Sequence, residues 1–223
     1  MERILRILAL LSVASLVIFA CAKSETAVKQ EVKQEAKQVE QATVELKSDP
    51  NIFPIYSDVY GGGNEVEFSH MESKPEAKVR VYIWEGTCKI KKVNDDVFAG
   101  KEAMSIVAGA GTWFGFGFHK VNPGSQKMEG FENGHLKLAI KAAPGAGDVK
   151  VLIKHSYQTE AWLNLDDYGF KADGQWHEIS IPLADFIPQI NFKDVNILFG
   201  MAQGKKFVPL SKYWVDEIYW TKN

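Results

Sequence analysis

The chain has 223 residues, 46% of them hydrophobic, and its 26 basic and 28 acidic side chains leave a formal net charge of −2. Nothing in that balance suggests a nucleic-acid partner, which would want a basic face. Cysteine is confined to Cys21 and Cys88, which excludes a small disulfide-stapled scaffold, so stability must come from a hydrophobic core.

The first element is a secretory signal peptide over residues 1–20. Arg3 and Arg6 make its start basic, and residues 7–20 run almost wholly apolar to Ala20. The run is shorter than the roughly 20 residues of a membrane-spanning helix. Ile18-Phe19-Ala20-Cys21 resembles the lipobox of bacterial lipoproteins. The resemblance implies cleavage before Cys21, a lipid on its thiol, and a mature protein held by that anchor at the bacterial cell envelope, at the outer membrane. The alternative is an ordinary secreted protein in which Cys21 is incidental. Lipidation of Cys21 would leave Cys88 without an intramolecular partner, and Cys88 reads as a small buried apolar residue.

Residues 21–50 follow as a tether rich in Lys, Gln and Glu. Val28, Val32, Ala36 and Val39 form a thin helical stripe, and Glu25 can pair with Lys29. An isolated helix of this length is marginal in water, so the segment reads as a flexible or partly helical spacer, with a short coiled coil as the alternative. Pro50 and Pro54 end it.

The domain spans residues 51–223, and its apolar residues recur with a period of two. Val79, Val81 and Ile83 alternate with Arg80, Tyr82 and Trp84, and the same pattern marks 103–107, 113–118, 135–140, 149–154, 177–181, 195–199 and 213–220. About ten antiparallel strands of this kind predict an all-β jelly-roll β-sandwich. The turn-rich Ala143–Asp148 segment reads as a hairpin loop, and Leu183–Phe186 as one helical turn after Pro182. No metal-hydrolase helix, nucleophile elbow, phosphate loop or dinucleotide-binding glycine pattern occurs. Sequential acidic pairs such as Asp166-Asp167 point to opposite faces of a strand. A glycosidase needs two carboxyl groups flanking one bond, which leaves only a dyad assembled from distant strands.

The six tryptophans carry the functional signal. With Phe114, Phe116 and Phe118 in the core, Trp113 is expected outward beside Gly115 and Gly117, as a ring on a flat shelf. With Leu163 and Leu165 inward, Trp162, Asn164 and Asp166 share the outer face. Trp84 is outward by the same alternation, and Lys154 is a weaker member of the group. Exposed aromatic rings flanked by planar polar side chains suit a sugar, whose apolar face stacks and whose hydroxyls bond in directional pairs. In the last strand, Asp216 shares alternation with Ile218 and Trp220, which predicts a buried carboxylate needing a partner or a metal.

The domain resembles the galactose-binding-like jelly rolls that serve as carbohydrate-binding modules, in particular the C-terminal accessory domain of bacterial exo-glucanases. The matching stretches are Ile55–Asp58, Val97–Ile106, Thr112–Phe118, Gly174–Leu183 and Val215–Ile218. The resemblance implies a non-catalytic binder of polysaccharide or envelope glycan. It also implies a structural calcium ion held by Asp216 and Asp58. Two other readings stay open: a structural or assembly lipoprotein whose aromatic face meets a protein partner, and a glycoside hydrolase with a dispersed carboxylate pair.

Overall fold

The computed structural model describes residues 49–60, 66–67, 79–120, 126–155 and 159–223. The signal peptide, Cys21 and nearly all of the tether lie outside them. Twelve strands occur among the described residues. In chain order they are β1 (Ile52–Tyr56), β2 (Val66–Glu67), β3 (Val79–Ile83), β4 (Cys88–Val93), β5 (Ala103–Ala108) and β6 (Gly115–Lys120). Then come β7 (His135–Ala142), β8 (Val149–His155), β9 (Thr159–Asn164), β10 (Trp176–Pro182), β11 (Val195–Gln203) and β12 (Lys212–Thr221).

They form two six-stranded sheets. The first runs β10-β7-β12-β5-β4, with β1 paired to the C-terminal half of β12; the second runs β2-β3-β6-β11-β8-β9. Every pairing is antiparallel except β2 with β3. The β4–β5 and β8–β9 pairs are neighbours in one sheet, and the other connections from β3 onward cross between sheets. This is the expected sandwich.

The core lies where the inward residues of the two sheets meet. Phe116, Phe118 and Phe199 of the second sheet form one aromatic group. Trp220 of the first sheet packs edge-on to Phe131 and Phe192. All four of those strand residues are fully buried, each contributing about 1.5–3 kcal/mol by leaving water. Cys88 is buried, as its apolar reading requires.

Three sequence expectations change. Ala143–Asp148 is not a hairpin, because β7 and β8 belong to different sheets. The segment crosses the sandwich edge, with the Asp148 N–H donating to the Lys206 carbonyl, and a Cβ on Gly147 would lie 2.3 Å from that same oxygen. Strand β4 has no counterpart among the strands expected from the sequence. On β12 the simple alternation breaks: Glu217 has φ 48°, and the pairing with β7 slips between Asp216 and Tyr219. This β-bulge lets Tyr213 and Val215 point inward before it and Ile218 and Trp220 after it. Asp216 is therefore buried, but on the Trp214 side of the strand rather than the side of Ile218 and Trp220.

Candidate functional site

Alternation decides what the second sheet shows to solvent. Phe114, Phe116 and Phe118 are core residues, so Gly115, Gly117 and His119 face outward along β6. Val151 and Ile153 are core, which turns Lys150, Leu152 and Lys154 outward on β8. Ala161 and Leu165 do the same for Glu160, Trp162 and Asn164 on β9. Strand register aligns these positions into rows across the sheet. One row is Tyr82, Gly117, Gly200, Leu152 and Trp162; the next is Arg80, His119, Ile197, Lys154 and Glu160.

The first row is low in the middle. Gly117 and Gly200 carry no side chain, and a Cβ on Gly200 would meet Leu152 Cδ2 at 2.8 Å. Trp84 fills that low ground. It opens a one-turn 3-10 segment, Trp84–Gly86, in which Glu85 (φ 50°) and Gly86 (φ 66°) reverse the chain. Thr87 fastens the turn: its N–H and its hydroxyl both donate to the Trp84 carbonyl, and its Oγ1 accepts the Gly115 N–H at 3.1 Å. The Trp84 ring is thereby laid on β6. A Cβ on Gly115 would sit 2.3 Å from Cε3, and one on Gly117 3.2 Å from Cζ2.

From the other side Trp162 meets Trp84 edge to face, with ring centroids 6.1 Å apart and an interplanar angle of 74°. Such pairs contribute about 0.5–1.5 kcal/mol beyond their buried area. Trp162 is oriented by its Nε1–H, which donates to Glu160 Oε1 at 2.8 Å. Lys150 Nζ stands 4.2 Å over the Trp162 ring, and Lys154 Nζ lies 3.6 Å from Glu160 Oε2. The two rings, with Tyr82, His119, Asn196 and Ile197, bound an open cleft of about 450 Å³.

His119 is one of the polar residues that line this cleft. Burial, aided by the charges of Lys154 and Arg80, pushes its imidazole down to about 4 against the pull of its hydrogen bond with Asn196. It is therefore neutral at pH 7. Its Nε2 is buried with no hydrogen-bond partner, and such an atom is costly unless a ligand or water completes it.

Of the residues singled out from the sequence, Trp84, Trp162 and Lys154 line the cleft, and Asn164 shares its face two residues from Trp162. Trp113 does not stand beside Gly115 and Gly117. Strand β6 begins only at Gly115, Trp113 lies half-buried in the segment leading to it, and the ring on those glycines is Trp84. Asp166 is exposed in a 3-10 turn, Leu165–Tyr168, where strand alternation has ended. His119 was within reach of sequence reasoning, because it extends the outward series Gly115, Gly117. Asn196 was not, because β11 slips register between Val195 and Ile197.

Asp58 and Asp216 do come together, around the loop 98–102. Asp216 Oδ2 accepts the N–H groups of Phe98 and Ala99, and its Oδ1 accepts that of Glu217. Asp58 Oδ2 accepts those of Lys101 and Glu102. Glu217 joins them, with its Oε2 taking the Ser57 hydroxyl at 2.7 Å. Burial, offset by those N–H groups, raises Asp216 to about 6; burial, with the Asp216 and Asp58 charges, raises Glu217 to about 7. Among the described residues no group of three or more His, Cys, Asp or Glu side chains is spaced to hold a metal ion. Backbone N–H groups are what these carboxylates chiefly meet. Asp58 Oδ1 and Glu217 Oε1 are buried without a hydrogen-bond partner, so a calcium ion would have to take them together with backbone carbonyls or water.

Comparison with known proteins agrees with the fold. The family 30 carbohydrate-binding module of a cellulosomal cellulase of Clostridium thermocellum is similar to this chain with a TM-score of 0.55 and 13% identity, over 66% of this chain and 92% of that one. An exo-1,3/1,4-beta-glucanase from a Pseudoalteromonas species is similar with a TM-score of 0.53 and 12% identity, over 80% of this chain but 21% of the enzyme. At these identities the likeness is one of fold. No curated protein matches the sequence significantly. The family model described as carbohydrate binding domain 30 matches residues 55–222, nearly the whole of the described sandwich, and the chain belongs to that family.

Proposed function

We propose that this chain is a lipid-anchored, non-catalytic polysaccharide-binding protein of the bacterial cell envelope, and that its ligand lies in the cleft of the second sheet. The observation that carries the reading is the Trp84–Trp162 pair over a floor of Gly117, Gly200 and Leu152, with the orphaned His119 Nε2 beside it. Two large rings supply stacking surface, and His119, Asn196 and Lys154 supply directional groups for hydroxyls. Glu160 is committed to Trp162 and Lys154, so it orients the ring. Membership of a carbohydrate-binding family supports the same assignment.

The test is affinity gel electrophoresis against β-glucans, mannans and peptidoglycan. Wild type is expected to be retarded by at least one polymer, and Trp84→Ala or Trp162→Ala to lose roughly tenfold in affinity while staying folded, with a melting temperature lower by only about a few degrees for the lost ring contact. Absence of retardation on the whole panel would sink the proposal. The anchor is tested separately: incorporation of a labelled fatty acid that Cys21→Ser abolishes.

A further inference from the structure

We infer that the domain itself meets the membrane, through an apolar wedge at Pro209-Leu210 that seats, among bordering lysines, in a phospholipid surface carrying anionic headgroups. This goes beyond the anchored reading, since the contact needs neither Cys21 nor the second-sheet cleft. Leu210 is the most exposed large apolar side chain among the described residues, at 65%. Its φ of 60° lies in the left-handed region, where a bulky residue is an outlier and glycine is at ease. The backbone is fastened on either side of it. The Leu210 N–H donates to the Gly109 carbonyl and the Ser211 N–H to that of Val208, each at 3.3 Å. The Ser211 hydroxyl donates to the Val208 carbonyl at 2.8 Å and accepts the Gly147 N–H at 3.2 Å. The turn thus holds a leucine out in water where glycine would cost less, and backbone strain of this kind gathers at functional sites.

A single exposed apolar residue is ordinary on a protein surface, but Leu210 has company. The Leu210–Gly109 bond joins two loops, residues 207–211 and 109–113, and neither contains a charged residue. Pro209, Ala110, Gly111 and Thr112 are exposed in them, and Trp113 is half-buried. Lysines border the pair. Lys205 and Lys206 precede the first loop and Lys212 follows it, while Lys89 shares a row with Val107 and Lys212. No salt bridge among the described residues reaches any of these four. Lys212 Nζ stands 4.2 Å over the Trp214 ring, a contact that leaves its charge in place. Two carboxylates border the same loops. Asp148 donates its N–H to the Lys206 carbonyl, and Glu85 lies two residues before Thr87, whose carbonyl accepts the Gly109 N–H. Asp166 and Asp167 belong to the turn after β9, two strands from β11. Apolar area entering the headgroup region and lysines attracted to anionic lipid add to one another, and long lysine stems let the ammonium groups stay at the headgroups while the wedge goes deeper.

Every buried core residue lies between Ile55 and Trp220, so residues 49–223 carry the whole sandwich, and the experiment uses that fragment. Co-sedimentation is measured with vesicles of phosphatidylglycerol and phosphatidylcholine in equal parts, and with phosphatidylcholine alone. We expect about tenfold stronger binding to the mixed vesicles, a preference that added salt shrinks because exposed charges are screened. Lys205→Gln/Lys206→Gln should lose about tenfold on the mixed vesicles. Leu210→Gly should lose about tenfold as well, with a melting temperature unchanged or higher, because glycine relieves the left-handed backbone. Sedimentation with neither vesicle, equal binding to both, or wild-type binding by Leu210→Gly each overturns the inference. None of these results touches the anchor or the polysaccharide reading, because the fragment lacks Cys21 and keeps the cleft unaltered.

Discussion

Gly115→Ala tests whether the cleft is built as described. The backbone of Gly115 accepts alanine, since its φ does not lie in the left-handed region. Space does not: the new Cβ would lie 2.3 Å from Trp84 Cε3 and 2.6 Å from Cζ3. Carbon atoms in contact settle at roughly 3.5–4.0 Å, so the ring must shift by more than about 1 Å. Trp84 is half-buried on an outer face, and the ring can swing toward solvent. The stability cost is therefore small, about 1 kcal/mol or less, because alanine also recovers backbone entropy in a strand. The binding cost is larger, since the displaced ring leaves both the glycine floor and its edge contact with Trp162; the expected loss is about tenfold in polysaccharide affinity. Calorimetric titration measures it, and tryptophan fluorescence reports the ring's exposure. The decisive control is the double variant. In a Trp84→Ala background no ring occupies the floor, so Gly115→Ala should change affinity by less than about twofold. Wild-type affinity in Gly115→Ala, or an equal loss in both backgrounds, refutes the reasoning.

Trp113→Ala should cost less affinity than Trp84→Ala in the same titration, because Trp113 precedes β6 and does not line the cleft; equal losses would return Trp113 to the site. Asp216→Ala strands three backbone N–H donors, those of Phe98, Ala99 and Glu217, and should lower stability by about 2–3 kcal/mol in urea denaturation; a loss under about 0.5 kcal/mol would mean that the clamp is idle. The acidic cluster also sets a pH dependence. Folding raises Glu217 from 4.5 to about 7 and Asp216 from 3.8 to about 6, so the native state binds more protons than the unfolded chain between these values. Stability should then rise as pH falls from about 8 to 5 in the presence of chelator, seen as a melting temperature several degrees higher at the acid end. A flat or falling profile would contradict the burial of these groups. If calcium takes the place of the proton, adding it at pH 8 raises the melting temperature and adding it at pH 5 does not. Indifference to calcium at both pH values removes the ion.

Period-two alternation made most of the sandwich legible, because a strand with one face in the core must alternate. The same rule failed where the strand was thin in signal or broken in phase. Strand β4 is an edge strand. Its Lys89 and Lys91 stay in water, and Cys88 and Ile90 alone meet the core, which is too short a pattern to stand out, although charge on an edge is itself a defence against misplaced pairing. On β12 the bulge inserts one residue at Glu217, a non-glycine at positive φ. Nothing in Val215-Asp216-Glu217-Ile218 marks that slip in advance, so the burial of Asp216 was legible while its face was not. The cleft divides in the same way. Alternation is enough to turn Gly115, Gly117 and His119 outward and to make a shelf beside a tryptophan. Which tryptophan reaches the shelf depends on a reversal at Glu85 and Gly86 and on the Thr87 hydroxyl that ties the turn to Gly115. Glu85 is an unexpected residue for the left-handed region, and the Gly115 N–H that the Thr87 hydroxyl accepts lies on another strand. Aromatic count and outward parity thus identify that a stacking surface exists, but the ring that forms it is selected by a turn whose hydrogen bonds join segments about thirty residues apart, and a local pattern along the chain carries no record of them.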